Sequence, residues 1–190
     1  MRVWIIKKHS LIVLIFVIVI LIGLVLGFAG LTVPTVATEK KLPIYAVKTD
    51  EKKIAITFDA AWGNEDTDEL IEILKKHNAK ATFFIVGDWA EKFPESVKAF
   101  YDAGHEIANH SDTHKAFSKC TYAELRRELS NCNEKLEKIT GEKVKLIRAP
   151  SGDYTTQSID VAKEFNMFMI QWDVDIIDTK VKLMYTIFRK

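Results

Sequence analysis

The sequence predicts an α/β fold with a mainly parallel sheet, open or closed into a barrel, behind one N-terminal transmembrane helix. Short apolar runs alternate with helical patterns through residues 51–190, and such alternation is typical of βα units. The apolar runs are continuous, as in strands that are buried on both faces. Residues 11–30 form a single uncharged run, which at about 1.5 Å per residue matches a bilayer core of about 30 Å.

Basic residues precede the uncharged run: Arg2, Lys7 and Lys8. The positive-inside rule therefore places the N-terminus in the cytoplasm and the rest of the chain outside it. A cleavable signal peptide is the alternative, since residues 27–29 are GFA, but the run exceeds the usual apolar length of about 7–15 residues. We predict a single-pass membrane protein with a cytoplasmic segment at 1–10, a signal anchor at 11–33, a linker and lead-in at 34–50 and an extracytoplasmic domain at 51–190.

Each predicted strand except the last is followed by a helical pattern. The longest helix begins after Thr121, because Glu124 three residues later completes a capping box, and it ends at Gly141. Its apolar stripe contains Leu125, Leu129, Cys132, Leu136 and Ile139. Strands are predicted at residues 54–58, 81–86, 106–108, 144–147 and 167–171, and helices at 67–77, 88–103 with a break at Pro94, 121–140 and 158–165.

Charge and cysteine content exclude several classes of protein. The 27 basic and 26 acidic residues give a net charge of +1, which argues against a nucleic-acid partner. The two cysteines are too few for a disulfide scaffold. Cys120 and Cys132 lie mostly along one helix, roughly 18 Å apart, so we expect them to be unpaired. No protein partner is predicted.

Polar residues gather where the predicted strands end. Asp59, His110 and Arg148 each follow a strand, and the carboxyl ends of parallel strands converge on one crevice. His110 and His114 have the spacing of a metal-chelating pair, although two ordinary surface histidines are the alternative. Asp59 could be a metal ligand, a general base or a loop cap. Arg148 could hold a buried carboxylate, with Asp175 and Asp178 as candidates.

Five segments occur together in one order: TFD at 57–59, ATFFIVG at 81–87, HSDTH at 110–114, RAPSG at 148–152 and DIID at 175–178. In these segments the sequence resembles the polysaccharide deacetylase, or NodB-homology, family, and above all its sporulation-type membrane-anchored branch. The resemblance runs from about residue 52 to residue 180. It implies a distorted (β/α) barrel that removes acetyl groups from glycans such as peptidoglycan, usually with a divalent metal such as zinc.

The resemblance also implies a role for each matched residue. Asp59 would be the general base, and His110 and His114 would be the metal ligands. Arg148 would orient Asp59 or neighbouring acids. Asp175 and Asp178 would support the histidines. The residues expected to contact the substrate are Trp62, Pro150, Gly152 and Tyr154.

The sequence departs from the family pattern in three places. Ala60 stands where an acidic metal ligand usually follows the base, which weakens the expected metal site; Asp112, Asn64 or Asp66 are possible substitutes. Thr179 replaces a tryptophan. The segment up to Lys190 lacks the final strand and its general-acid histidine, so we expect a barrel that is truncated at the C-terminus.

These observations favour a membrane-anchored hydrolase that removes acetyl groups from an N-acetylated cell-wall or spore polysaccharide of the peptidoglycan type by metal-assisted water attack. The missing acid and the missing histidine favour the alternative, which is a non-catalytic glycan-binding relative or an inactive fragment. The expected partners are thus a glycan and, through the N-terminal helix, the membrane.

Overall fold

The computed structural model describes residues 8–29 and 40–175. The chain divides into two units, residues 1–39 and 40–190. In the first unit, helix α1 spans Lys8–Ala29, and its side chains are described without interruption for residues 9–25, all of them exposed. Within the residues described, no helix is long and apolar enough to cross a membrane. The anchor predicted at 11–33 extends beyond the described residues and stays a prediction.

In the second unit a five-stranded sheet has the order β1-β2-β3-β4-β5, and all four pairings are parallel. The strands are β1 Ile56–Ala60, β2 Ala81–Ile85, β3 Glu106–Asn109, β4 Leu146–Ile147 and β5 Phe168–Met169. The helices are α2 Thr67–Lys76, α3 Gly87–Lys92, α4 Pro94–Asp102, α5 Tyr122–Thr140 and α6 Thr156–Glu164, with 3-10 turns at Phe117–Lys119 and Pro150–Gly152.

The predicted alternation of strands and helices is confirmed. The helical segment is interrupted before Pro94, which begins α4 and cannot continue the preceding hydrogen-bond ladder. The capping box of Thr121 and Glu124 begins α5, and Gly141 ends it with a φ of 76°. Strong local signals in the sequence therefore predicted these helix ends correctly.

Several boundaries differ from the prediction, including those of β1 and α6. Strand β1 begins and ends two residues later than expected. Asp59 therefore lies inside the strand, in register with Phe84 of β2, instead of following it. The ladder continues past it, since Val86 donates its backbone N–H to the carbonyl of Ala60. Helix α6 begins at Thr156, because Ser158 is its third residue and forms a capping box with Thr155.

The sheet is open within the residues described. Beyond β5, Ile44 forms a parallel bridge with Ile170, which places part of the predicted lead-in at the sheet edge. On the other side, the described pairing of β1 is with β2. The described part of the chain is thus an α/β fold with a parallel sheet, and the predicted closure into a barrel, together with residues 176–190, lies outside it.

The core lies between the sheet and its helices. The predicted stripe of α5 is buried through Leu125, Leu129, Cys132 and Leu136, and burial of each leucine contributes about 1.5–3 kcal/mol. Both cysteines are free and buried, as predicted. This packing fixes α5 against the strands whose carboxyl ends carry the polar residues.

Candidate active site

Three strands bring Asp59, His110 and Arg148 together at one edge of the sheet. Arg148 donates from Nη1 to Oδ1 of Asp59 at 2.6 Å, and from Nη2 to the hydroxyl of Thr57 at 2.9 Å. Nε2 of His110 lies 3.6 Å from Oδ2 of Asp59. The spatial convergence expected from the sequence is therefore present, and Thr57 is an additional member.

The Asp59 carboxylate is held on one side and open on the other. Arg148 is 3% exposed, and its guanidinium lies 4.0 Å from the ring centroid of Phe84 and 5.4 Å from that of Trp172. The side chain of Asp59 is 37% exposed. The arginine thus fixes one carboxylate oxygen and leaves the other accessible to water. Asp175 is exposed, so the alternative in which Arg148 holds a buried Asp175 is wrong.

His110 is buried in a single tautomer. Its Nδ1 lies 2.9 Å from the carbonyl oxygen of Arg148, and since a carbonyl only accepts, Nδ1 carries the proton and donates it. Nε2 therefore directs its lone pair towards Asp59. Burial lowers the pKa of His110 below its ordinary value, and the Asp59 carboxylate opposes that shift only in part. The imidazole is consequently neutral near pH 7.

His114 stands at the rim beside His110. The ring centroids of the two histidines lie 5.1 Å apart, and the ring of Trp62 lies 5.8 Å from that of His114. Trp62 is 82% exposed. The loop that carries Trp62 is held by α3, because the indole of Trp89 donates to the carbonyls of Trp62 and Gly63 at 3.2 Å and 2.6 Å.

The other predicted contact residues lie on the loop after β4. Pro150 is buried, and Gly152 has a φ of 71°. A side chain at Gly152 would lie 3.0 Å from the Trp172 ring, so the glycine permits that close approach. The hydroxyl of Tyr154 accepts a hydrogen bond from that of Tyr45 at 3.2 Å. Asp178 and Thr179 lie outside the described residues.

The residues present do not complete a metal centre. In the described part of the chain, no group of three or more His, Cys, Asp and Glu side chains is placed to hold a metal ion. His110 and His114 supply two imidazole donors, while position 60, where the resemblance expects a carboxylate, is an alanine. The divalent metal implied by the resemblance stays a prediction.

Two of the three possible substitutes for that carboxylate, Asp112 and Asn64, are engaged elsewhere. Asp112 forms an ion pair with Lys135 of α5 at 2.9 Å. Asn64 donates to the hydroxyl of Ser96 at 3.2 Å, and Asp66 is the N-cap residue of α2. Neither the Asp112 ion pair nor the Asn64 hydrogen bond involves the two histidines.

The chain belongs to the polysaccharide deacetylase family, because the sequence profile of that family matches residues 46–170. The parallel sheet, which brings Asp59, His110 and Arg148 together, agrees with this class of protein. The resemblance noted in the sequence is thereby confirmed at the level of the family.

Individual relatives are similar over the same region. The chain is 39% identical over 136 residues to the uncharacterized protein YlxY of Bacillus subtilis (72% of this chain, 43% of that protein). It is 36% identical over 142 residues to a peptidoglycan-N-acetylglucosamine deacetylase of Bacillus cereus (75% and 52%). The chain spans about half the length of these relatives.

A solved structure is similar as well. The wild-type protein BA3943 of Bacillus anthracis, described as a CE4 family pseudoenzyme, has a TM-score of 0.70 at 38% identity, covering 72% of this chain and 49% of that one. A mutant of BA3943 is described as having restored enzymatic activity.

Proposed function

We propose that the chain belongs to a hydrolase that removes acetyl groups from an N-acetylated cell-wall or spore glycan of the peptidoglycan type. The observation that carries the proposal is the carboxylate of Asp59, held by Arg148 at one oxygen and facing Nε2 of His110 with the other. The family and the B. cereus deacetylase support the substrate class. A glycan fits a site whose rim carries an exposed aromatic ring, Trp62.

The site residues define the proton movements of the proposed reaction. Oδ2 of Asp59 and Nε2 of His110 are two acceptors 3.6 Å apart, and a water molecule against both donates one hydrogen to each. Asp59 takes a proton as the water oxygen attacks the acetyl carbonyl carbon. The C–N bond then breaks as the proton taken up by Asp59 passes to the amine nitrogen, which restores the carboxylate and releases the amine and acetate.

Acetate release tests this proposal. The full chain in detergent micelles is incubated with N-acetylglucosamine oligomers and with peptidoglycan, and acetate is measured. We expect turnover that Asp59→Asn reduces by about 10²–10⁴-fold, the usual contribution of a general base. Asp102→Asn, which changes an exposed aspartate of α4, is the matched control and should retain activity. Equal rates for the two variants would remove Asp59 from the mechanism.

A non-catalytic glycan-binding protein is the second candidate. Ala60 at the position of an acidic ligand, the incomplete donor group and the similarity to a pseudoenzyme favour it. Binding of the same oligomers, measured by calorimetry, without any acetate release would support this candidate. Trp62→Ala should then weaken the binding, since stacking on the exposed ring would be lost.

We also propose that residues 11–30 anchor the chain in the cell membrane with residues 40–190 outside the cytoplasm. The uncharged run and the basic residues before it support this orientation. Carbonate-washed membranes should retain the full chain, and protease added to cells stripped of their wall should digest residues 40–190. Release of the chain by carbonate would contradict the anchor.

A further inference from the structure

The loop that follows β3 passes twice through the left-handed backbone region. Ser111 has a φ of 66° and His114 a φ of 59°. A non-glycine residue in this region is strained and persists only where its surroundings hold it. The contacts of the residues between these two positions therefore decide where His114 stands.

Glu128 of α5 binds both residues between those two positions. Its Oε2 accepts the backbone N–H of Asp112 at 3.0 Å and that of Thr113 at 2.9 Å. Its Oε1 accepts the hydroxyl of Thr113 at 2.8 Å. Hydrogen bonds to an ionised acceptor are stronger than those between neutral groups. A single carboxylate thus fixes the two residues that immediately precede His114.

Helix α5 is itself well fixed at this point. Leu125 and Leu129, on either side of Glu128, are fully buried. The carbonyl of Leu129 accepts a hydrogen bond from Asn109 at 3.0 Å, and Asn109 in turn accepts the backbone N–H of Ser111 at 2.7 Å. The helix therefore holds the loop at its start as well as through Glu128.

Helix α3 holds the loop from the other side, but only at its first two residues. Gly87 and Asp88 donate their backbone N–H groups to the carbonyls of Ser111 and Asp112, both at 2.9 Å. The hydrogen bonds described for Thr113 both go to Glu128. Glu128 is thus the contact of the residue directly before His114, while Lys115, directly after it, pairs with Glu124 at 2.8 Å.

We propose that Glu128 is a positioning residue of the candidate site. Its carboxylate holds Asp112 and Thr113, and so sets the His114 imidazole beside the rings of His110 and Trp62. The effect on turnover rests on the proposed function, whereas the geometry of the loop is measured independently of it. Without the carboxylate, the left-handed residues relax and the imidazole leaves its place.

The test compares Glu128→Ala with Glu137→Ala in the full chain in detergent micelles. Glu137 is a matched control, because it lies on the same helix and accepts the backbone N–H of Val144 at 3.4 Å. By amide hydrogen exchange, Asp112 and Thr113 should exchange about tenfold faster in Glu128→Ala than in Glu137→Ala, since local opening then costs less. The NMR signals of the His114 ring should shift only in Glu128→Ala.

Turnover supplies the second readout. In Glu128→Ala, kcat should fall about tenfold with KM changed less than about threefold, because a displaced group slows the reaction more than it weakens binding. Glu128→Gln should recover most of the loss, since its amide oxygen still accepts the two backbone N–H groups. If the role of Glu128 were purely structural, both alanine variants would have a lower free energy of unfolding, and Glu128→Gln would not recover kcat.

The proposal is overturned if the exchange of Asp112 and Thr113 and the His114 ring signals are the same in Glu128→Ala and Glu137→Ala. Should Glu128→Ala not fold, Glu128→Asp replaces it, because it keeps the charge but withdraws the carboxylate by one methylene. If the unaltered chain releases no acetate, the proposed function fails while the exchange and ring signals still decide the role of Glu128.

Discussion

Arg148 and Asp59 form a hydrogen-bonded ion pair of 2.6 Å although 89 positions separate them in the sequence. Their strands, β4 and β1, are three neighbours apart in the sheet, which corresponds to about 14 Å in a flat sheet. A long side chain is therefore required, and the second guanidinium nitrogen binds Thr57 at the same time. The fixed orientation of the Asp59 carboxylate follows from this pair of contacts.

Arg148→Lys should lower kcat/KM of acetate release by about hundredfold, because an ammonium cannot hold Asp59 and Thr57 with two separate nitrogens and the carboxylate shifts. Kinetics on N-acetylglucosamine oligomers measure the effect. Arg127→Lys, on an exposed position of α5, is the control and should be unchanged. If Arg148→Lys keeps full activity, the arginine does not orient the base.

Gly87→Ala should destabilise the second unit. Gly87 is the first residue of α3, and alanine ordinarily favours a helix more than glycine does. A Cβ at this position would overlap Oδ1 of Asp112 and lie 3.0 Å from its Cα. Because that contact involves backbone as well as side chain, the loop must move, at a cost of about 1–3 kcal/mol. Urea unfolding measures the cost.

A double-mutant cycle identifies the cause of that cost. Adding Asp112→Ala removes the overlapping oxygen, so part of the Gly87→Ala loss should be recovered. Strict additivity of the two changes would show that the crowding lies elsewhere.

Stability should decrease in mildly acidic solution because of His105. Burial, aided by the charge of Lys80, lowers the pKa of His105, and its Nδ1 accepts the backbone N–H of Ala81 at 3.4 Å. As the pH falls below the ordinary value of about 6.5, the unfolded chain binds the proton first. The stabilisation is therefore complete above about pH 6.5 and is lost as the pH falls towards the lower pKa of the folded state.

Urea unfolding at about pH 8 and about pH 5 measures this dependence. His105→Asn keeps an acceptor for Ala81 but does not titrate, so it should reduce the difference between the two conditions. His110 contributes in the same direction, and a remaining dependence is expected from it. An unchanged pH dependence in His105→Asn would contradict the assignment.

Ala60→Asp should raise the affinity of the chain for zinc by about tenfold or more, because a carboxylate adds a negatively charged ligand that two imidazoles do not supply. Calorimetric titration of the full chain with zinc chloride measures the affinity without any need for turnover. Ala61→Asp is the matched control and should leave it unchanged. Equal affinities for the two variants would mean that position 60 does not face the two histidines.

The sequence predicted those features that depend on neighbouring residues. Pro94, the capping box of Thr121 and Glu124, and Gly141 located helix ends correctly, since each acts within one turn. The boundary of β1 was wrong by two residues, because pairing with β2, and not local propensity, decides where that strand ends.

The candidate site was predictable only in outline. Polar residues at strand ends indicated that Asp59, His110 and Arg148 would lie together. The partner of Arg148 depended on which strands approach each other, and several acids were equally plausible from spacing. Glu128 was missed because nothing in its surroundings along α5 distinguishes it from the other acids of that helix. A pattern of helical spacing shows which face is buried but not which loop a polar side chain meets.

The strands follow one another across the sheet in the order in which they are synthesised. Each new strand can thus pair with the one made just before it, while the Asp59 carboxylate of the first strand lacks its Arg148 partner until the fourth has been added. A chain shortened ahead of residue 148 would keep the pairing of its first three strands and yet leave Asp59 unpaired. The ion pair of the candidate site is therefore completed late, after most of the sheet already exists.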